Sequence, residues 1–388
     1  MIKTLVISSA IATLRSVQLI VASLEEAYVT DGRRSVVLWR LPAPPPRLAG
    51  NDWSVVVVHP HGLLAPEWER ALGREQIGEV RLHLFGDFLK QASLSASMFA
   101  RLAGVPTRVL APSRAFLRHV QSFFVSAENL QLCSFEPGHV FSVGSAADRH
   151  RLKEERGFAE KRVLLYAGRL APQKNVDLAA KLCQLLGADW VLLAVGRGEE
   201  HDFPVVGERA SLGHAFTELQ CVPRDHWTWW PDASAQDLAD AFALADAFIS
   251  LSTYHDEECG LAAREALGAG LPLVLTRWGG HLDVLEEFPS RCCAVPVSLA
   301  GERLDLDLGS ALEFLRRLPD GARSGGASWP SVQESVRSLD GTPVRSLGGL
   351  TDAYQQLARQ QKNYFYRPDG GLDVERYREV YRSFGLCD

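Results

Sequence analysis

The sequence predicts an α/β protein made of two doubly wound, parallel-sheet domains. Three observations lead there. Short apolar runs alternate with helical patterns along most of the chain, as in parallel βαβ units. At 388 residues the chain is too long for one ordinary hydrophobic core. The runs also form two series of similar size, separated by the charged stretch 148–161, which has no long apolar run.

In chain order, the opening from Met1 to Ala12 has the look of a signal peptide, with Lys3 and the small residues Ala10 and Ala12. Its apolar stretch is short and broken by Ser8 and Ser9, so 3–7 reads as the first strand of an α/β domain. Residues 35–39, 54–59, 80–85, 107–111 and 130–135 read as the other strands of the first domain; 55–58 is an unbroken run of valines. Residues 42–46, with four prolines, form a stiff loop between two of them. Residues 163–167, 190–195, 226–230, 247–251, 272–276 and 292–297 read as strands of the second domain, with an amphipathic helix over 176–186. Trp227, Trp229 and Trp230 read as core rather than as a base-stacking platform. Residues 319–350 are rich in Gly and Ser and read as a surface insertion; 374–386 reads as a short helix carrying Tyr377, Tyr381 and Phe384. The expected domains are 1–155, 156–372 and a C-terminal helix over 373–388.

Composition narrows the class. Apolar content of 46% and charged content of 23% are those of a soluble globular enzyme, and no apolar run is long enough to span a bilayer. The seven cysteines are scattered without a C-x-x-C, which argues for reduced thiols, a cytoplasmic chain and no zinc site. The net charge of −6 is uneven. Residues 1–153 carry 17 Lys and Arg against 12 Asp and Glu, and the remainder carries 24 against 35.

The chemistry concentrates between residues 245 and 274. That stretch reads as buried strand, tight loop, helix and buried strand. Glu257 lies in the loop, and Glu265 about one turn inside the helix on the side facing back toward the loop. Between them Cys259, Gly260 and Leu261 open the helix, where unpaired backbone N–H groups carry the positive end of the helix dipole. Upstream, Gly168 and Arg169 end a buried strand and Lys174 follows in the strand-to-helix loop; two cations there can hold a diphosphate. Two carboxylates, a helix N-terminus and a cation pair suit a ligand with hydroxyls at both ends and phosphate between, as in a nucleotide-sugar. Two glutamates eight apart also arise by chance on a solvated helix face. What raises the pattern above chance is that both motifs fall at strand C-termini, where open α/β sheets bind ligands.

These residues resemble the retaining, group 1 glycosyltransferases of the GT-B fold, in which two Rossmann-like domains face a central cleft. That family carries a Gly-Arg…Lys-Asn loop, here Gly168-Arg169…Lys174-Asn175, and a Glu-x7-Glu loop and helix, here Glu257…Glu265. The resemblance is specific over about 163–284 and diffuse elsewhere. It implies that Arg169 and Lys174 bind the donor diphosphate, Glu257 the sugar hydroxyls and Glu265 the ribose hydroxyls. Gly168 and the backbone of Cys259, Gly260 and Leu261 would line the donor. It also places His83 opposite the donor sugar as a catalytic residue, with His61, Gly62 and Asp87 on the acceptor side, and a C-terminal helix crossing back to the first domain.

The implied reaction moves a sugar to an acceptor hydroxyl with retention, in glycan, polysaccharide or glycolipid synthesis. It needs no cofactor and no metal, since two cations and a helix end face the leaving diphosphate and no Asp-x-Asp lies in a suitable loop. Two family features are missing. Ser8-Ser9-Ala10 replaces a Gly-Gly loop, and Glu136-Pro137-Gly138 stands where a Pro-Asn-Gly-Val-Asp turn is usual, which leaves the acceptor unreadable. A sugar phosphorylase and a catalytically silent binding protein of the same fold remain alternatives. A dinucleotide-dependent dehydrogenase is disfavoured, because residues 7–16 contain no Gly. The expected partners are a nucleotide-sugar and a saccharide, lipid-linked or small-molecule acceptor, with no nucleic acid. Arg101, Arg108, Arg114 and Arg118, beside the stripe Phe116, Val120 and Phe123, suggest peripheral contact with an anionic membrane at its cytoplasmic face.

Overall fold

The computed structural model describes residues 1–9, 15–58, 67–85, 88–89, 92–134, 141, 145–198, 217–254 and 257–387. The chain divides into two units, 1–138 with 329–365, and 139–328 with 366–388.

The first unit is built on a six-stranded parallel sheet. Its strands are β1 (Ile2–Ser9), β2 (Arg34–Leu41), β3 (Trp53–Val58), β4 (Ile77–His83), β5 (Thr107–Ala111) and β6 (Leu130–Leu132), in the order β2-β1-β3-β4-β5-β6. β3 is buried along its whole length, which is why it reads as an unbroken apolar run. The sheet of the second unit contains β7 (Arg162–Ala167), β8 (Trp190–Val195), β9 (Trp227–Trp230), β10 (Ala247–Ser250), β11 (Leu273–Thr276) and β12 (Cys292–Val295), in the order β12-β11-β10-β7-β8-β9. All of its pairings are parallel. All twelve expected strands form, each within a few residues of its expected bounds. The order reverses between β7 and β10, so the loops leaving those two strands diverge at a topological switch point.

The domain division departs from the boundaries expected at 155 and 372. Residues 329–365 return to the first unit instead of forming a surface insertion. They are held by apolar burial, with Val336, Leu339, Tyr354 and Leu357 buried, and by polar bonds. Arg34, Arg81 and Arg108, from β2, β4 and β5, are buried. Arg81 reaches Asp340 at 2.8 Å, Arg34 pairs with the same carboxylate, and Arg108 bonds Thr342. Glu79 takes Arg81 at 2.5 Å and Arg108 at 3.3 Å. Further on, Tyr354 stacks on Phe88 with ring centroids 4.6 Å apart and donates to its carbonyl at 2.9 Å.

The helix Val374–Tyr381 packs within the second unit. Trp278, which is fully buried, stacks on Tyr381 and meets Phe384 edge-on, with 5.5 Å between ring centroids in both pairs. The segment grouped with the first unit is 329–365, and 366–388 is grouped with the second.

The basic surface expected for a membrane is also reduced. Arg108 is buried in the network just described, and Arg101 pairs with Glu69. Phe116, Val120 and Phe123 are buried, so the apolar face of Arg114–Gln121 is used in the core. Ser113 caps that helix, accepting from the Phe116 N–H at 3.1 Å. Among the described residues no helix is long and apolar enough to cross a membrane.

Candidate functional site

The loop after β7 contains Gly168 and Arg169 and ends in a single 3-10 turn, Pro172–Lys174. Asn175 then takes a left-handed conformation (φ 50°), which turns the chain into the helix Val176–Leu186. Its side-chain amide donates to the carbonyl of Leu251 at 2.7 Å and to Thr253 Oγ1 at 3.1 Å. Thr253 N–H donates to the Gln173 carbonyl at 3.0 Å. These bonds fasten the loop after β7 to the loop after β10, across the switch point.

Lys174 is the side chain this tie delivers. Its Nζ lies 3.0 Å from Ser252 Oγ and 2.9 Å from Glu257 Oε2. Both members of the ion pair are largely buried, with side-chain exposures of 12% and 14%. Lys174 and Glu257, expected to hold different parts of one ligand, therefore sit together at the carboxyl ends of adjacent strands.

Behind Glu257 the backbone is packed without slack. Gly260, in the left-handed region (φ 66°), caps the helix Leu261–Gly268 without a side-chain bond. A Cβ on Gly280 would fall 2.5–2.7 Å from the backbone of Cys259, so this position needs glycine for contact rather than for φ. The Gly280 N–H donates to the Glu257 carbonyl at 2.7 Å, and the Gly279 N–H to the Phe384 carbonyl at 2.7 Å. The C-terminal segment thus buttresses the loop that carries Glu257. Arg264 Nε donates to the Cys259 carbonyl at 3.2 Å. Cys259 is buried, which pushes its thiol up to about 11 and leaves it no thiolate for nucleophilic chemistry near neutrality.

Arg169 and Glu265 are half-buried, in the β7 loop and the Leu261–Gly268 helix respectively. Gly168 is exposed beside Arg169, and Tyr166 donates its hydroxyl to the Arg169 carbonyl at 2.5 Å. Gly168, Arg169, Lys174, Glu257, Cys259, Gly260, Leu261 and Glu265 are thus gathered on the two strand-end loops and the helix that follows. His61, Gly62 and Asp87 lie outside the described residues.

His83 is corrected. It ends β4, but only 2% of it is exposed and its Nε2 is 2.9 Å from the Tyr28 hydroxyl. Burial, with help from the nearby Arg81 charge, pushes its pKa down to about 3. Among the described residues the ring is buried and its partner is the Tyr28 hydroxyl.

One residue at the site was missed in the sequence. His281 opens the helix His281–Glu287, is 1% exposed, and brings Nε2 within 3.7 Å of Glu257 Oε1. Its only sequence signal was its place directly after Gly279-Gly280.

Comparisons with known proteins bear on the family and the fold. Residues 148–300 match the family of glycosyl transferases group 1. The putative glycosyltransferase YtcC of Bacillus subtilis (strain 168) is 28% identical over 161 residues, which covers 40% of this chain and 38% of that protein. The chain spans between 36% and 52% of the length of the curated relatives it matches. Among solved structures, sucrose-phosphate synthase from Thermosynechococcus elongatus aligns with a TM-score of 0.56 at 14% identity, over 98% of this chain and 99% of that one. Anabaena HepE, in complex with UDP-glucose, aligns with a TM-score of 0.52 at 13% identity, over 73% and 83%. At such identities the likeness is one of fold, and the fold is GT-B.

Proposed function

We propose that the chain is a retaining glycosyltransferase that moves a sugar from a nucleotide-diphosphate sugar to an acceptor hydroxyl, in glycan, polysaccharide or glycolipid synthesis. The observation that carries this reading is the Lys174–Glu257 pair at the switch point of a 3-2-1-4-5-6 sheet, next to a helix N-terminus. The donor complex of HepE, which shares the fold, supports a nucleotide-sugar as ligand.

The costly event in such a transfer is departure of the diphosphate while positive charge grows on the anomeric carbon. In this reading Lys174 and Arg169 hold the leaving diphosphate, and the backbone N–H groups at Gly260 and Leu261 add the positive end of a helix dipole. These fixed positive groups would do the work of a metal. Glu257 accepts hydrogen bonds from the donor sugar and Glu265 from the ribose. The acceptor attacks from the face the diphosphate leaves, and the departing phosphate takes the acceptor's proton, which gives retention. The reaction would run in the cytoplasm.

The test is a screen of UDP-, GDP-, ADP- and TDP-sugars for slow donor hydrolysis. The reading expects release of nucleoside diphosphate from at least one of them, with loss of that release in Lys174→Ala. Activity on none of the sixteen donors formed by pairing each base with glucose, galactose, mannose and N-acetylglucosamine, at roughly millimolar concentration, would count against it.

A further inference from the structure

Glu257 is held by its backbone as well as by its side chain. Its N–H donates to the Tyr254 carbonyl at 3.2 Å, and its carbonyl accepts the Gly280 N–H at 2.7 Å. The Tyr254 carbonyl takes a second donor, the indole Nε1–H of Trp278, at 2.9 Å. Residues 278–280, between β11 and the helix His281–Glu287, therefore reach both backbone polar groups of Glu257. Gly280 does so directly, and Trp278 through the shared carbonyl. A Cβ on Gly279 (φ 52°) would strike the Glu257 carbonyl oxygen, so the two segments meet backbone to backbone.

The indole is itself fixed from behind. Trp278 is fully buried, with Tyr381 stacked on its ring and Phe384 against it edge-on. The Phe384 carbonyl bonds the Gly279 N–H at 2.7 Å, and a Cβ on Gly385 (φ 115°) would strike the Arg277 carbonyl oxygen. A buried indole normally finds an acceptor for its one N–H. Here that acceptor belongs to the loop that carries the site carboxylate. We propose that Trp278 is a positioning residue. Its N–H fixes the backbone of Tyr254 and, through the shared carbonyl, that of Glu257, and so sets where the Glu257 carboxylate meets the transferred sugar. The proposal rests on the glycosyltransferase reading and adds to it a group that acts on the sugar through Glu257 and not on the nucleotide.

Trp278→Phe keeps an aromatic ring against Tyr381 and Phe384 and removes the donor. Calorimetry with the donors of the screen and the four nucleoside diphosphates should find a pair in which the sugar adds affinity. For that pair, Trp278→Phe should weaken the sugar nucleotide by about 10-fold, the loss of one hydrogen bond, and leave the diphosphate within about 3-fold of the parent. A residue that acts through Glu257 has nothing to act on once that side chain is removed. In the Glu257→Ala background, Trp278→Phe should therefore change sugar-nucleotide affinity by less than about 3-fold. A merely structural role would give the same loss in both backgrounds. That result would overturn the proposal and leave the glycosyltransferase reading standing. So would unchanged sugar-nucleotide binding by Trp278→Phe, an equal loss of diphosphate binding, or a parent that binds diphosphates and gains nothing from any sugar. No binding of any of these compounds by the parent protein would remove both. A measurement without substitutions covers the case of poorly folding variants. Coupling is reciprocal, so a bond that favours sugar binding is favoured by it in turn. Hydrogen exchange at the Trp278 indole N–H, identified by NMR through its proximity to the Tyr381 and Phe384 rings, should be slowed about 10-fold more by saturating sugar nucleotide than by saturating diphosphate. Equal protection by the two ligands overturns the proposal.

Discussion

Lys174 Nζ lies 2.9 Å from Glu257 Oε2, although the two residues come from loops on different strands and are 83 positions apart in sequence. The tie between Asn175 and the loop after β10 makes this meeting possible, and it brings the two charges to one point. Lys174→Ala should lower turnover by about 100-fold or more while the protein stays folded, since it removes a contact to the leaving charge. Arg169→Ala should act in the same direction. Steady-state kinetics on the donor found in the screen, with thermal melts as control, check this; near-normal rates in both would remove the phosphate assignment.

The two glutamates should separate by ligand. Glu265→Ala should weaken both sugar nucleotide and free nucleoside diphosphate. Glu257→Ala should weaken only the sugar nucleotide and leave diphosphate affinity within about 3-fold. Calorimetry decides, and the reverse pattern would exchange their roles.

Gly280→Ala should damage the site without touching any charged group. A methyl group there meets the Cys259 backbone at 2.5–2.7 Å, so the Cys259–Gly260 turn must shift. Overpacking of this kind costs about 1–3 kcal/mol, and the same shift should cut donor affinity by about 10-fold. Denaturant titration and calorimetry on one preparation read both effects.

The C-terminal segment should matter to the site from behind. Phe384 is fully buried against Trp278, and its carbonyl holds Gly279. Phe384→Ala should cost about 3–5 kcal/mol of stability and lower turnover as the Gly279-Gly280 turn loosens. A melting temperature equal to that of the parent would show that this packing is dispensable.

Acid should destabilise the first unit through His83. Its pKa is pushed down to about 3 from an ordinary 6.5, so the folded state binds fewer protons than the unfolded chain between those values. The stability associated with the neutral ring is complete above pH 6.5 and is lost progressively as pH falls toward 3. His83→Gln, which keeps an acceptor for Tyr28, should flatten that part of the stability-pH curve by about one proton. An unchanged slope would place the titration elsewhere.

The strands were legible because fully buried parallel strands are continuous apolar runs, and the run of valines at 55–58 leaves little choice. The cation and carboxylate positions were legible because strand ends and helix starts announce themselves by Gly and Pro. The course of 329–365 was hidden, since its anchors Asp340 and Thr342 are polar residues in a polar stretch and show no apolar period. The aromatic stripe of Val374–Tyr381 announced a buried face, but the sequence does not say against which unit it is buried. His83 and His281 were hard to tell apart in sequence for a similar reason. A single histidine at a strand end or helix start looks the same in sequence whether its partner is a core tyrosine or a site carboxylate.

The central claim is that the ends of β7 and β10 form a nucleotide-sugar site organised by Lys174 and Glu257. The most direct measurement follows release of nucleoside diphosphate from the preferred donor by the parent protein, Lys174→Ala and Glu257→Ala under single-turnover conditions, with folding checked for each. The account predicts measurable release by the parent and losses of about 100-fold or more in both folded variants. Equal release by all three would contradict it.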